Sequence, residues 1–111
     1  MKRGLIFLLI LVIAVATPVL LAGKGDAAAG KTVYAKRCAS CHGASGKGNP
    51  AIAKSLKVEL RPLGSKEVQA KSDDQLKKAT SEGIGKMKPV KGMSDKERDD
   101  IVAFMRSLAK K

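Results

Sequence analysis

Two cysteines, Cys38 and Cys41, stand two residues apart, and His42, the only histidine of the 111-residue chain, follows at once. Four chemistries use a pair of thiols at this spacing. A structural zinc site takes four protein ligands, and two cysteines with one histidine supply three. A thioredoxin-like dithiol sits in a βαβ setting, and no segment of this chain alternates convincingly as a strand. A plain disulfide of an exported protein leaves the adjacent histidine without a role. Covalent attachment of haem uses all three residues. The thiols add across the two vinyl groups as thioethers, and the next histidine is held under the iron with a ring nitrogen to offer as axial ligand. The motif predicts one haem c, bonded to Cys38 and Cys41, with His42 on the metal.

The opposite axial position needs another residue, and Met87, Met93 and Met105 are the candidates. Met105 falls on the apolar stripe of the last predicted helix, where filling the core is the ordinary role of a methionine. Met93 directly precedes a helix cap, where an apolar residue commonly folds back on the helix, although its usual partner position holds Arg98. Met87 lies in Gly83-Ile84-Gly85-Lys86-Met87-Lys88-Pro89, a glycine-loosened loop able to wrap over a bound group. The residues alone favour Met87 over Met93, with gap filling as the alternative for both.

Three helices must position these side chains. Asp26 is a good N-cap, and Ala27 to about Arg37 continues with strong helix formers around Gly30. Ser72-Asp73-Asp74-Gln75 is a capping box, and its helix runs to about Glu82 before Gly83 stops it. Ser94-Asp95-Lys96-Glu97 is a second box, opening a helix from Asp95 to about Ala109. Its acidic start and basic end (Arg106, Lys110, Lys111) suit the helix dipole. Residues 51–56 and Lys66–Ala70 fit shorter helices, and Gly43 to Pro50 reads as a loop. The predicted class is all-α, with three to five helices around the haem. Ile101, Phe104, Met105 and Leu108 form one apolar face of the last helix. Gly30, Tyr34 and Cys38 recur every four residues on one face of the first. A glycine there lets another helix approach closely; merely tolerated, it costs ~1 kcal/mol relative to alanine.

Lysine and arginine number 22 against 10 acidic residues, a formal net charge of +12. Lys2 and Arg3 open the chain, and an apolar run from Leu5 to Ala22 follows, broken only by Thr17 and Pro18. That is the pattern of a secretory leader. The cleavage signals are mixed. A cut after Gly25 fits the small-residue rule better than one after Ala22, which puts Leu20 at the third position. A cut after Ala27-Ala28-Ala29 fits too, but removes residues of the first helix. The apolar run of 18 residues is near the ~20 that span a bilayer, so a membrane tether through residues 5–22 is the alternative to removal. The expected organisation is a leader or anchor at 1–25 and a haem domain at 26–111, in the periplasm or at the outer face of the inner membrane.

Without Lys2 and Arg3 the remaining chain still carries +10. That surface predicts steering toward redox partner proteins with acidic docking surfaces, strongest at low salt. Nucleic acid is a poor partner, because only Tyr34 and Phe104 remain beyond the leader as aromatic stacking residues. A domain of about 85 residues has a thin core, and a large apolar cofactor in its middle would fill it.

Taken together, Gly30-x3-Tyr34-x3-Cys38-x2-Cys41-His42, Gly85-Lys86-Met87-x-Pro89 and the helix Ser94 to Leu108 resemble the class I bacterial mono-haem cytochromes c. The resemblance covers essentially all of residues 26–109. It implies that the first and last helices cross, with Gly30 and Tyr34 against Phe104, and that Met87 is the sixth ligand. It also implies that the backbone carbonyl of Pro50 accepts a hydrogen bond from the other ring nitrogen of His42, fixing the ring. Two departures stand out: no tryptophan is available near the propionates, and Val90 stands where an aromatic often follows the loop proline. The implied activity is electron carriage rather than catalysis. Iron closed by histidine and methionine has no open position for substrate, and methionine raises its potential. A haem enzyme or gas sensor, the rival reading, needs five-coordinate iron.

Overall fold

Each helix begins where a side chain can stand in for a missing backbone partner. The computed structural model describes residues 25–109. The leader and tether assigned to the first residues lie outside the described residues, Gly25 apart, as do Lys110 and Lys111. Asp26 caps α1 (Ala27–Arg37), its carboxylate accepting from the N–H groups of Ala28 and Ala29. Cys38, at φ −123° and ψ −33°, breaks that helix, and α2 (Ala39–His42) restarts beyond it. Asn49 caps α3 (Pro50–Leu56), and proline at the first position supplies a ready-made helical φ. Ser65 caps α4 (Lys66–Gln69). Complete capping boxes open α5 (Asp73–Glu82) and α6 (Asp95–Ser107).

The described residues are all-α, with six helical segments and only an isolated bridge in place of strands. The count exceeds the expected three to five by one. The extra segment is α2, separate because the backbone at Cys38 leaves helical geometry. The last helix ends at Ser107 rather than near Ala109, because Leu108 closes it with a tighter bond to the Met105 carbonyl at 3.1 Å.

The most extensive contact between helices is the crossing of α1 and α6. A methyl group on Gly30 would stand 1.8 Å from the carbonyl oxygen of Asp100, so this glycine is there for close approach. One turn on, the rings of Tyr34 and Phe104 meet at 4.8 Å and 52°, a tilted geometry that aromatic quadrupoles favour. The buried Asp100 carboxylate accepts from the Asp26 N–H at 2.8 Å and the Lys96 ammonium at 2.9 Å. It ties the start of α1 to α6. Ile101, Val102, Phe104 and Met105 join Tyr34, Leu63, Leu76 and Met93 in one core, each such side chain contributing about 1.5–3 kcal/mol by leaving water. Arg106 closes the chain between α4 and α5 onto α6, bonding the Asp73 carboxylate at 2.8 Å and the carbonyls of Gln69 and Lys71.

Candidate functional site

The break at Cys38 lets both cysteines and His42 border one cavity of about 1390 Å³. Small-ligand pockets run to roughly 300–1,000 Å³, so this space suits a larger group. The extended segment after α3, with Val58, Leu60 and Leu63, forms one wall. Leu76 and Thr80 of α5, Ile101 and Met105 of α6, and Ile84, Met87 and Val90 of the following loop complete it.

The loop after His42 folds back on the motif that precedes it. Gly48 donates its N–H to the His42 carbonyl at 2.7 Å, and Asn49 donates to the Cys41 carbonyl at 2.8 Å. The Tyr34 hydroxyl donates to the Gly43 carbonyl at 2.5 Å. Neither cysteine is in a disulfide. Burial pushes the Cys38 thiol up to about 11, so it is protonated at neutral pH. Burial also lowers the pKa of His42, which favours the neutral imidazole that can bind a metal.

Nδ1 of His42 is buried with no hydrogen-bond partner. The bond expected from the His42 ring to the Pro50 carbonyl is therefore not formed. Pro50 is the first residue of α3, and a carbonyl there points along the helix toward the N–H four residues on. It borders a separate small cleft with Lys47 and Ala53.

The loop that carries Met87 starts from Gly83, at φ 78° and ψ 170°, a conformation confined essentially to glycine. Ile84 and Met87 then exchange two backbone bonds of 3.1 and 2.9 Å around Gly85-Lys86. Val90 secures the far end by donating to the Thr80 carbonyl at 2.8 Å. Met87 is half-buried and borders the cavity. Met93 is buried in the core instead, and Met105 reaches the cavity as part of the core face of α6. Cys38, Cys41, His42 and Met87 thus come together, and Pro50 does not join them.

Two unpaired thiols beside a neutral imidazole, in an apolar space of this size, fit a covalently held haem. The wall at 57–63 escaped the sequence reading, although the alternation of Leu56, Val58 and Leu60 marks an extended segment with one apolar face. Gln69 escaped it too. Its amide donates to the carbonyls of Leu63 at 2.9 Å and Met105 at 3.0 Å, and so hangs that wall on α6. No periodic signal marks a lone glutamine.

Comparison with known proteins finds c-type cytochromes. The chain is 37% identical over 92 residues to cytochrome c-554(547) of Halothiobacillus neapolitanus, covering 76% of this chain and 98% of that one. Among solved structures it is similar to the KustC0563 c-type cytochrome, with a TM-score of 0.63, 27% identity, and 73% and 98% of the two chains covered. A chain of the Kuenenia stuttgartiensis reducing HAO-like protein complex Kustc0457/Kustc0458 gives a TM-score of 0.60 and 25% identity over 73% of this chain and 41% of that one. The sequence profile described as Cytochrome c matches residues 27–109, nearly everything from the Asp26 cap onward, so the chain belongs to the cytochrome c family, whose members hold a covalent haem c and use it in electron transfer.

Proposed function

We propose that the protein is a one-electron carrier whose haem iron is held between His42 and Met87. The observation that carries this reading is that both side chains border one cavity from different elements, while Met93 is packed in the core. Haem supplies a reversible one-electron change at its iron. The chain's own residues do the rest. Cys38 and Cys41 would hold the group as thioethers, burial favours the neutral form of His42, and the loop from Gly83 to Val90 brings the Met87 thioether to the same cavity. With His42 and Met87 both on the metal, no position would be left for a substrate, which favours carriage over catalysis.

The working place is the periplasm or the outer face of the inner membrane, as the leader predicts. No described helix is long and apolar enough to cross a membrane, so a tether would rest with residues 5–22. Arg37, Arg61, Lys71, Lys78, Lys86, Lys88 and Lys91 border the cavity against Glu59 and Glu82. That excess suits redox partner proteins with acidic docking surfaces, through small, weak complexes that form fast at low salt.

An optical spectrum tests the ligation. The oxidised holoprotein should show the weak far-red band of an iron–thioether bond, and the reduced form should not take up carbon monoxide. Met87→Ala should abolish the band and Met93→Ala should keep it; the opposite pattern overturns the assignment. Uptake of carbon monoxide by the reduced wild type overturns the carrier reading itself. A second reading, a subunit passing electrons within a larger assembly, is favoured by the similarity to a chain of a named protein complex. Mass spectrometry of the native N-terminus and the size of the native particle separate the two.

A further inference from the structure

We infer that Lys86 is a positioning residue, a latch that ties the turn carrying Met87 to the end of α3 across the mouth of the cavity. Its ammonium donates to the backbone carbonyl of Leu56 at 2.6 Å, from 30 residues away in the chain. Leu56 is the last residue of α3. Its carbonyl belongs to the final turn, where no N–H of the helix remains to receive and the dipole leaves partial negative charge. A cation is the natural partner for that oxygen. Lys86 and Leu56 both border the cavity, so the bond runs from one lip to the other.

The turn has little else to hold it. Ile84 is 59% exposed, and the space beside Gly85 is open. The bonds between Ile84 and Met87 are internal to the turn. Among the described residues, Lys86 to Leu56 is the one side-chain hydrogen bond from residues 83–88 to another part of the fold. Lys88, equally charged and on the other side of Met87, makes no such bond and serves as the charge-matched control. The latch rests on the reading of Met87 as iron ligand, because its consequence is that the thioether is held over the site and an external ligand is kept out.

Imidazole titration of the oxidised holoprotein, followed by loss of the far-red band, measures how readily Met87 is displaced. With the bond exposed to competing water, Lys86→Ala should bind imidazole about fivefold more tightly than wild type. Lys86→Arg should stay close to wild type, and so should Lys88→Ala. Equal affinity in Lys86→Ala and wild type, or an equal gain in Lys88→Ala, overturns the latch and leaves the ligation intact. Absence of the far-red band in wild type sinks the ligation instead. The latch is then decided by hydrogen exchange of the Ile84 and Met87 amides in the holoprotein. Exchange should be faster in Lys86→Ala than in Lys88→Ala, and unchanged exchange overturns it.

Discussion

The crossing of α1 and α6 and the loop from Gly83 to Lys91 are held by different means. The crossing brings backbone against backbone at Gly30, ring against ring at Tyr34 and Phe104, and a buried carboxylate against a helix start. Nothing in it can slide without breaking several contacts at once. The loop has two bonds within its turn, one latch, the Val90 bond and the Arg37 guanidinium on the Lys91 carbonyl. It buries little. A domain this small closes its fold in one place and leaves another easier to open, as low-contact segments are. The loop is the part that must enclose a large group. The sharpest test of the tight region is Gly30→Ala. The added methyl would meet the Asp100 carbonyl oxygen at 1.8 Å, so the helices must part, at about 3 kcal/mol or more even after the ~1 kcal/mol gained in helix propensity. Denaturant unfolding of the holoprotein reads this as a lower midpoint. A loss below ~1 kcal/mol would mean that the crossing has slack.

The matching change in the loop is Gly83→Ala. Its methyl would lie 2.4 Å from the Met87 carbonyl oxygen, in a backbone region closed to alanine. The expected cost is about 2 kcal/mol, smaller than at Gly30 because a loop relaxes where two packed helices cannot. Its signature is different too. The far-red band should weaken or vanish while helical circular dichroism is kept, whereas Gly30→Ala should lower both together on mild heating. An intact band in Gly83→Ala would say that the loop finds a second path to the same position.

Legibility followed the same division. The two helices of the crossing were readable because helix caps are local chemistry and the stripe Ile101, Phe104, Met105 repeats at helical period; that they cross was implied by the family resemblance. Cys38, Cys41 and His42 stood out because side chains that would bond one group must stand at fixed spacing, and they border one cavity. The hydrogen bond implied for Pro50 had no signal in residue type, because where a carbonyl points depends on which residue starts α3, and Pro50 starts it. The wall at 57–63, Gln69 and Lys86 were hidden for a related reason. Each acts through one long-range bond to a backbone carbonyl, and backbone carbonyls carry no residue type to search for.

Asp100 sharpens the account of the crossing through pH. The Asp26 N–H, then the Lys96 ammonium, hold its carboxyl below the usual value of 3.8. The unfolded chain therefore takes up the proton first as pH falls. Stability from this group is complete above 3.8 and drains away as pH drops through the lower native value. Asp100→Asn should cost about 1.5 kcal/mol near neutrality and flatten the acid limb of the stability profile. An unchanged acid limb would assign acid sensitivity to other carboxylates.

Tyr34 joins the crossing to the segment after His42, and loss of its hydroxyl has the smallest expected effect. Its ring packs on Phe104 in the crossing, while its hydroxyl bonds the Gly43 carbonyl directly after His42. Tyr34→Phe keeps the ring and leaves that carbonyl without its donor, at about 1 kcal/mol. Burial is the main reason the hydroxyl is pushed up from 10.0 to about 12. Between those values the unfolded chain has lost the proton and the folded one keeps it, so wild-type stability should fall as pH rises through this window. The phenylalanine variant should lose that slope. If it instead loses stability comparable to Gly30→Ala, the hydroxyl is a structural part of the crossing itself. If the slope persists, another buried group titrates there, and the joint between the crossing and the haem motif is carried by packing alone.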